Sequence, residues 1–493
     1  MADRVRRARG LAAGDRGIAA ALGAGSLAVY VRTLLPGVGY SGDTAKWQFL
    51  GEAGGTPHPT GYPLYLLLNR AWVHAVPVGQ LAWRVNLLSA VLGAATVATL
   101  FLLLRALDVG RPVAAATAAT YAVTVTFWSQ AVVAEVYTLH LFFLAMVTLC
   151  LTRWLNGDEG GSDRWLLAGL GLYALSFGNH LGSVLALPGV VWLLWRGRKR
   201  LRPRHVVWAA LFAAVGAGQY AYLIRMTDVG AYVEQPVHGL GDIVGLVTGG
   251  HFRQHMFAFG PGELVRDRVP MFGRLLRSEL GVLLVPAVYG AVRAIRGPHR
   301  AVAVHLLSLG VLAAAYALNF DVLDVFVFFL PCYLVLAVFL GIGLDGAVEW
   351  AQGQRRLRVA GLAALAAIPV ITGAVNYPKA SLRGEVGDAH RIERAIDAAG
   401  TDAVLITDNY ADSEYVWYYL LGEGLGAERH LKLANQLRPR DVEAYFDRHR
   451  GALARVARPG TPIYTATTHQ AWALAYEGLT VTQVADNVWR IQR

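Results

Sequence analysis

Seven polar side chains stand out in a chain otherwise dominated by apolar runs: Asp43, His58, Tyr62, Glu135, Asn179, His180 and Arg225. A carboxylate can take a proton from a hydroxyl that is to become a nucleophile, and Asp43 and Glu135 are the two candidates for that role. Imidazole, amide, phenol and guanidinium groups can hold a phosphate or a sugar, which suits His58, His180, Asn179, Tyr62 and Arg225. Asp43 follows Gly42 and can cap a helix predicted from Thr44 to Leu50. Pro63 can open a second helix through Val76, because a first-turn proline loses no intrahelical bond. The two short helices and the Gly/Pro/His turn between them read as a re-entrant or surface-lying loop. The same residues also fit a capped loop that only seals the protein. Glu135 beside Tyr137 fits an aromatic-belt position as well, and an arginine at the end of a span can simply snorkel.

The elements that must position these groups are membrane spans. Of 493 residues, 55% are hydrophobic and only 16% charged, in long uncharged stretches, which excludes an ordinary soluble globule. The formal charge of +11 comes from arginines clustered between apolar runs, with no nucleic-acid motif, so nucleic acid is not expected as a partner. Apolar runs at 18–35, 85–104, 113–131, 137–155, 165–178, 181–195, 206–224, 279–295, 301–319, 326–344 and 358–376 predict about eleven transmembrane helices. The basic start, Arg4 to Arg9, precedes the first run, which is read as an uncleaved span. Alternation then puts the Arg-rich loops near 105–111, 196–202, 293–300 and 355–358 in the cytoplasm. The loops at 36–84 and 225–278 fall outside, together with all seven polar candidates, Asp321 and Asp324. Cys150 and Cys332 lie in apolar runs, giving neither a disulfide framework nor a cysteine metal site. His251 and His255 are spaced for one helical face, yet no third ligand is evident, so neither metal nor cofactor is expected.

The composition changes after Tyr377-Pro378. A helix at 389–399, a strand at 403–407, helices at 412–421 and 441–456, a strand at 462–466 and a hairpin at 479–491 predict a small α/β domain. The expected organisation is a transmembrane domain over 1–376 and an extracytoplasmic domain over 377–493, in a multi-pass cell membrane, that of a bacterium by the Ala/Arg-rich composition.

Several ordered motifs resemble a known family. They are Gly-Tyr-Ser-Gly-Asp at 39–43, His-Pro-Thr-Gly-Tyr-Pro-Leu at 58–64, Arg84 to Ser89, Phe-Trp-Ser-Gln-Ala at 127–131, Glu-Val-Tyr-Thr-Leu at 135–139, Gly-Asn-His at 178–180, Asp324 to Pro331, and Thr407-Asp408-Asn409. The set resembles the multi-pass GT-C-type glycosyltransferases once known only as a domain of unknown function, related to the transmembrane O-mannosyltransferase of plexin-type receptors. Two positions depart from its pattern: Tyr40 replaces the first acid of the usual Gly-Asp-Ser-Gly-Glu, and Thr60 replaces a proline. The resemblance implies inverting transfer of a sugar, mannose above all, from a polyprenyl-phosphate donor to a protein or glycan acceptor. Asp43 would be the base, Glu135 would hold sugar or acceptor, and His58, His180, Arg225, Tyr62 and Asn179 would meet the donor. A flippase or transporter of lipid-linked sugars is a rival reading, although no inverted repeat is visible. A non-catalytic membrane scaffold is another.

Overall fold

The computed structural model describes residues 13–39, 42–157, 163–351, 354–385 and 389–493; Arg4 to Arg9, Tyr40 and Ser41 lie outside them. Each predicted span is helical. Among the described residues six helices are individually long and apolar enough to cross a membrane: Leu81–Ala106, Tyr137–Asn156, Pro203–Val229, Arg300–Leu318, Val325–Ala351 and Val359–Ala380. The pair Pro261–Glu279 and Gly281–Arg296 makes a seventh if counted as one span, and is bent by 104°. Of the other expected spans, the first lies on the continuous helix Ala13–Thr33, and the rest are shorter or interrupted, as in Arg111–Ala122 followed by Val125–Ala131, and Asp163–Ser176 followed by Leu181–Arg196. Association of such helices in lipid depends on close packing rather than on hydrophobicity. Gly290 shows this, since a Cβ there would meet the Phe339 carbonyl oxygen at 1.8 Å.

The two ends of the helical bundle differ in chemistry. At one end Arg105 and Arg111 both pair with Asp15, His299 with Asp108, and Arg200 donates to the Trp154 carbonyl. At the other end the turns are stitched by backbone bonds, Leu35 to Val132, Leu64 to Gly178 and Leu382 to Thr33. The C-terminal domain sits on that second end.

Helix Arg355–Ala380 runs three residues past Tyr377, and the α/β domain follows from Ala389. Its five strands are ordered Lys432–Ala434, Val404–Ile406, Ile463–Thr465, Val488–Gln492, Thr480–Ala485. The first three are parallel, and the last two add antiparallel. Strand Lys432–Ala434 and helix Thr468–Tyr476 are additions to the sequence reading. The helix expected over 441–456 ends at Arg448, where His449 takes a left-handed conformation with φ of 48°. A single apolar cluster joins Phe49 and Leu81 of the membrane half to Tyr232 of the long loop and to Val416, Tyr418 and Leu420 of the C-terminal domain. The Tyr418 hydroxyl accepts from the Ala82 amide at 3.1 Å.

Candidate active site

The helix predicted after Asp43 spans Thr44–Ala53, and the one opened by Pro63 spans Pro63–Ala75. The first is not a surface-lying amphipathic helix: Thr44 through Gly51 are all buried, because the C-terminal domain covers the side a bilayer surface would have left open. Asp43 stands at the N-cap position but makes no side-chain cap bond. Its carboxylate points elsewhere. Oδ1 accepts a 2.5 Å hydrogen bond from the Tyr410 hydroxyl and lies 3.6 Å from Lys46 Nζ, and Oδ2 lies 3.5 Å from His58 Nε2.

Lys46 is the centre of this group. One turn along from Asp43, it is wholly buried, and its Nζ is ion-paired with Glu234, 3.8 Å from Glu414 Oε1 and 3.3 Å from His58 Nδ1. A buried ammonium is costly unless paired, and here three carboxylates from three distant parts of the chain surround it. The long loop delivers Glu234 through a two-residue parallel pairing of Gly55–Thr56 with Tyr232–Val233. Gly55 is required there, because a Cβ would lie 1.9 Å from the Tyr232 carbonyl oxygen. Glu414 comes from helix Tyr410–Trp417, whose start is capped by Asn409 accepting from the Asp412 amide at 2.9 Å. Tyr410 and Glu414, four apart, share one helical face, and Asp43 and Lys46, three apart, share the face opposite. The Tyr410 ring lies over Lys46 Nζ at 4.9 Å, and the Tyr232 hydroxyl donates to both Glu234 and Glu414.

The electrostatics follow from that packing. Burial pushes the Asp43 carboxyl up, but His58, Lys46 and the Tyr410 hydroxyl outweigh it and hold it below the ordinary carboxylate value. Burial works against the Lys46 ammonium, and Asp43, Glu414 and Glu234 more than restore it. Glu414 is pushed up to about 7 by burial despite Lys46, with Glu234 and Asp43 adding to the rise. Asp43 is thus held in its ionised form, and its side chain remains 31% exposed.

Glu135 lies beside this group rather than in it. A Cβ on Gly42 would be 3.6 Å from Glu135 Oε1. Burial raises its pKa well above the ordinary carboxylate value, and Asp43 and Asp324 raise it further. Its backbone amide bonds Ser89 Oγ, and Asn179 Nδ2 donates to the next carbonyl, Val136, at 3.2 Å. Asn179 therefore positions the 135–136 turn. His58, Tyr62 and His180 form a run of rings with centroids 5.3 and 6.2 Å apart. His180 Nδ1 accepts from the Gly182 amide, and burial lowers its pKa to about 4, so it is neutral with its proton on Nε2. Arg225 is exposed on helix Ala221–Val229 and does not enter the Asp43 cluster. The 251–255 stretch is part of a 3-10 turn, Gly250–His255, in which residues four apart do not share a face. Phe252 within it packs on the His58 ring at 5.7 Å. Among the described residues no group of three or more His, Cys, Asp or Glu side chains has metal-holding geometry.

This fold has known counterparts. The fold covers 98% of this chain and 98% of ArnT from Cupriavidus metallidurans bound to undecaprenyl phosphate, with a TM-score of 0.66 at 13% identity. It likewise covers 98% of this chain and 40% of the mycobacterial arabinofuranosyltransferase AftD, with a TM-score of 0.58 at 14% identity. The fold is GT-C. In sequence, residues 52–202 match the family model of the Protein O-mannosyl-transferase TMEM260 N-terminal domain. The mouse Protein O-mannosyl-transferase TMEM260 is 28% identical over 202 residues, which span 40% of this chain and 28% of the mouse protein. The family match includes His58, Tyr62, Glu135, Asn179 and His180, and it begins after Asp43 and Lys46.

Lys46, Glu234, Tyr232, Tyr410 and Glu414 were not singled out from sequence. Their separations reach 367 residues between Asp43 and Tyr410, and no motif spacing links them. One signal was available: a lysine three residues after the candidate acid, inside an otherwise uncharged run.

Proposed function

We propose that this GT-C membrane protein is a glycosyltransferase that moves a sugar from a polyprenyl-phosphate donor to an acceptor hydroxyl. We infer that the sugar is mannose, that the acceptor is a protein serine or threonine, and that transfer occurs on the extracytoplasmic face. The observation that carries the reading is Asp43: a partly exposed carboxylate whose pKa is held down by His58, by the wholly buried Lys46 and by the Tyr410 hydroxyl. The kinship with a protein named as an O-mannosyl-transferase supports the sugar and acceptor, and a GT-C neighbour holding undecaprenyl phosphate supports the donor.

An acceptor hydroxyl is a poor nucleophile until a positioned base takes its proton. Asp43 would take it as the oxygen attacks the anomeric carbon and the sugar–phosphate bond breaks. The leaving lipid phosphate gathers negative charge, which hydrogen-bond donors and cations aimed at it stabilise. His180, with its proton on Nε2, together with His58 and Tyr62, would serve nearest the membrane helices, and Arg225 would meet the phosphate from the exposed loop helix. Glu135, whose buried carboxyl has its pKa raised and which lies beside the Asp43 group, would hold a sugar or acceptor hydroxyl.

The test is purified full-length protein with labelled polyprenyl-phosphate mannose and a Ser/Thr-rich peptide. Label on the peptide supports the reading. Label that only crosses a vesicle membrane, still on lipid, would instead establish the flippase.

A further inference from the structure

The Tyr410 hydroxyl donates to Asp43 Oδ1 at 2.5 Å. If Asp43 is the base, the acceptor hydroxyl must donate to that same carboxylate. We propose that Tyr410 occupies the acceptor's position in the resting protein, as a built-in plug that an incoming acceptor displaces and that keeps water off the base. The inference rests on the transferase reading above and adds to it a gate supplied by the C-terminal domain.

Three features carry it. The contact has the donor, acceptor and length of a charge-assisted O–H···O⁻ bond, the same interaction that a serine, threonine or sugar hydroxyl would make before losing its proton. Tyr410 is 38% exposed, so the plug lies at the open side of the cluster, where an acceptor arrives, and not in the buried core around Lys46. It is also the first residue of its helix, directly after the Asn409 cap, with Lys46 under its ring as the main cluster contact besides Asp43. Rotation of the side chain outward would leave the helix, its cap and the Glu414–Lys46 contact in place.

The chemistry that the plug restrains is donor hydrolysis. Water in the acceptor's place would give a proton to Asp43 as its oxygen attacks the anomeric carbon. The bond between that carbon and the phosphate oxygen would break, its electron pair leaving with the lipid phosphate, and free sugar would be released. A phenol bonded to the base blocks that attack. A bulkier acceptor that makes its own contacts can outcompete it.

Full-length protein in lipid nanodiscs, given labelled polyprenyl-phosphate mannose and no peptide, is scored for water-soluble label. Tyr410→Phe keeps the ring over Lys46 and removes only the hydroxyl. It should hydrolyse donor about tenfold faster than the wild type, the scale set by losing one charge-assisted hydrogen bond. It should also lower the KM for a Ser/Thr-rich peptide. The double variant Asp43→Asn with Tyr410→Phe should lose the added hydrolysis. Equal hydrolysis and equal peptide KM in the wild type and Tyr410→Phe, with wild-type transfer intact, would overturn this inference alone. A fall in kcat at unchanged peptide KM would also overturn it, since Tyr410 would then assist the reaction rather than obstruct it. Release and transfer by neither chain would remove the transferase reading, and the plug with it.

Discussion

Replacing Lys46 by methionine tests whether the buried ammonium is what keeps Asp43 ready as a base. At the observed 3.6 Å, a unit-charge pair in an effective dielectric of about 20 is worth roughly 4–5 kcal/mol. Asp43 is 31% exposed, and solvent screening brings the usable part down to about 2 kcal/mol. At about 1.4 kcal/mol per pH unit, that moves the Asp43 pKa upward by roughly 1.5 units. Glu234 and Glu414, no longer neutralised, push in the same direction. The assay is kcat/KM for sugar transfer between pH 5 and 9. The acid limb should shift upward by about 1.5 units in Lys46→Met, with a deficit that is largest near pH 5 and shrinks toward pH 8. The thermal midpoint should also fall, because carboxylates are left buried without their counter-charge. An acid limb in Lys46→Met that overlays the wild type would refute the assignment of Lys46 as the group that sets the base.

Asp43→Asn should reduce turnover by about 10²–10⁴-fold, the usual contribution of a general base, with some fall in thermal midpoint because the buried Lys46 loses one of its three carboxylates; near-normal turnover would rule out the base role. Glu135→Gln should stay within about tenfold of wild type, because an amide of the same shape can still hydrogen-bond a sugar or acceptor hydroxyl; a loss as deep as that of Asp43→Asn would move the base role to Glu135. Glu414 has its pKa raised to about 7, so between pH 4.5 and 7 the folded chain holds a proton that the unfolded chain has released. Stability should therefore fall as pH rises through that window, and thermal melts of Glu414→Gln should show a flatter dependence. Arg225→Ala should weaken use of the lipid-phosphate donor more than Arg225→Lys, and equal wild-type KM for donor in both would assign Arg225 to the interface alone. Reporter fusions after Arg358 and after Arg493 should report opposite sides of the membrane; two cytoplasmic signals would overturn the extracytoplasmic assignment.

What the sequence makes legible is whatever is encoded by a local period or a local break. The apolar runs mark the helices, Pro63 marks a helix start, and Gly178-Asn179-His180 marks the turn between Asp163–Ser176 and Leu181–Arg196. Asp43, His58, Glu135, Asn179 and His180 converge at one end of the bundle, as alternation of spans implies. The burial of helix Thr44–Ala53 was not legible, because the surface that covers it lies more than 360 residues away. Strand Lys432–Ala434 has only three residues, too few to display alternation, and is held by its neighbour Val404–Ile406 rather than by its own pattern. The pairing of Lys46 was not legible either, because its partners Glu234 and Glu414 lie far from it along the chain. Only tertiary proximity turns three such charges into a buried cluster.

The pairing of Lys46 with Glu414 also has a consequence for how the protein is made. The first loop emerges from synthesis with an acid and a lysine but without two of the groups that complete the cluster. Those arrive with residues 410–414, after the membrane helices through Ala380 have been made. Until the C-terminal α/β domain has folded onto the first loop, Lys46 has no Glu414 and Asp43 has no Tyr410. A chain cut short near 380 would keep every membrane helix and still carry an unfinished charge cluster at its working end. Folding of the C-terminal domain is thereby written into the same contacts that assemble the site, and a chain lacking it leaves Lys46 with Asp43 and Glu234 but without Glu414.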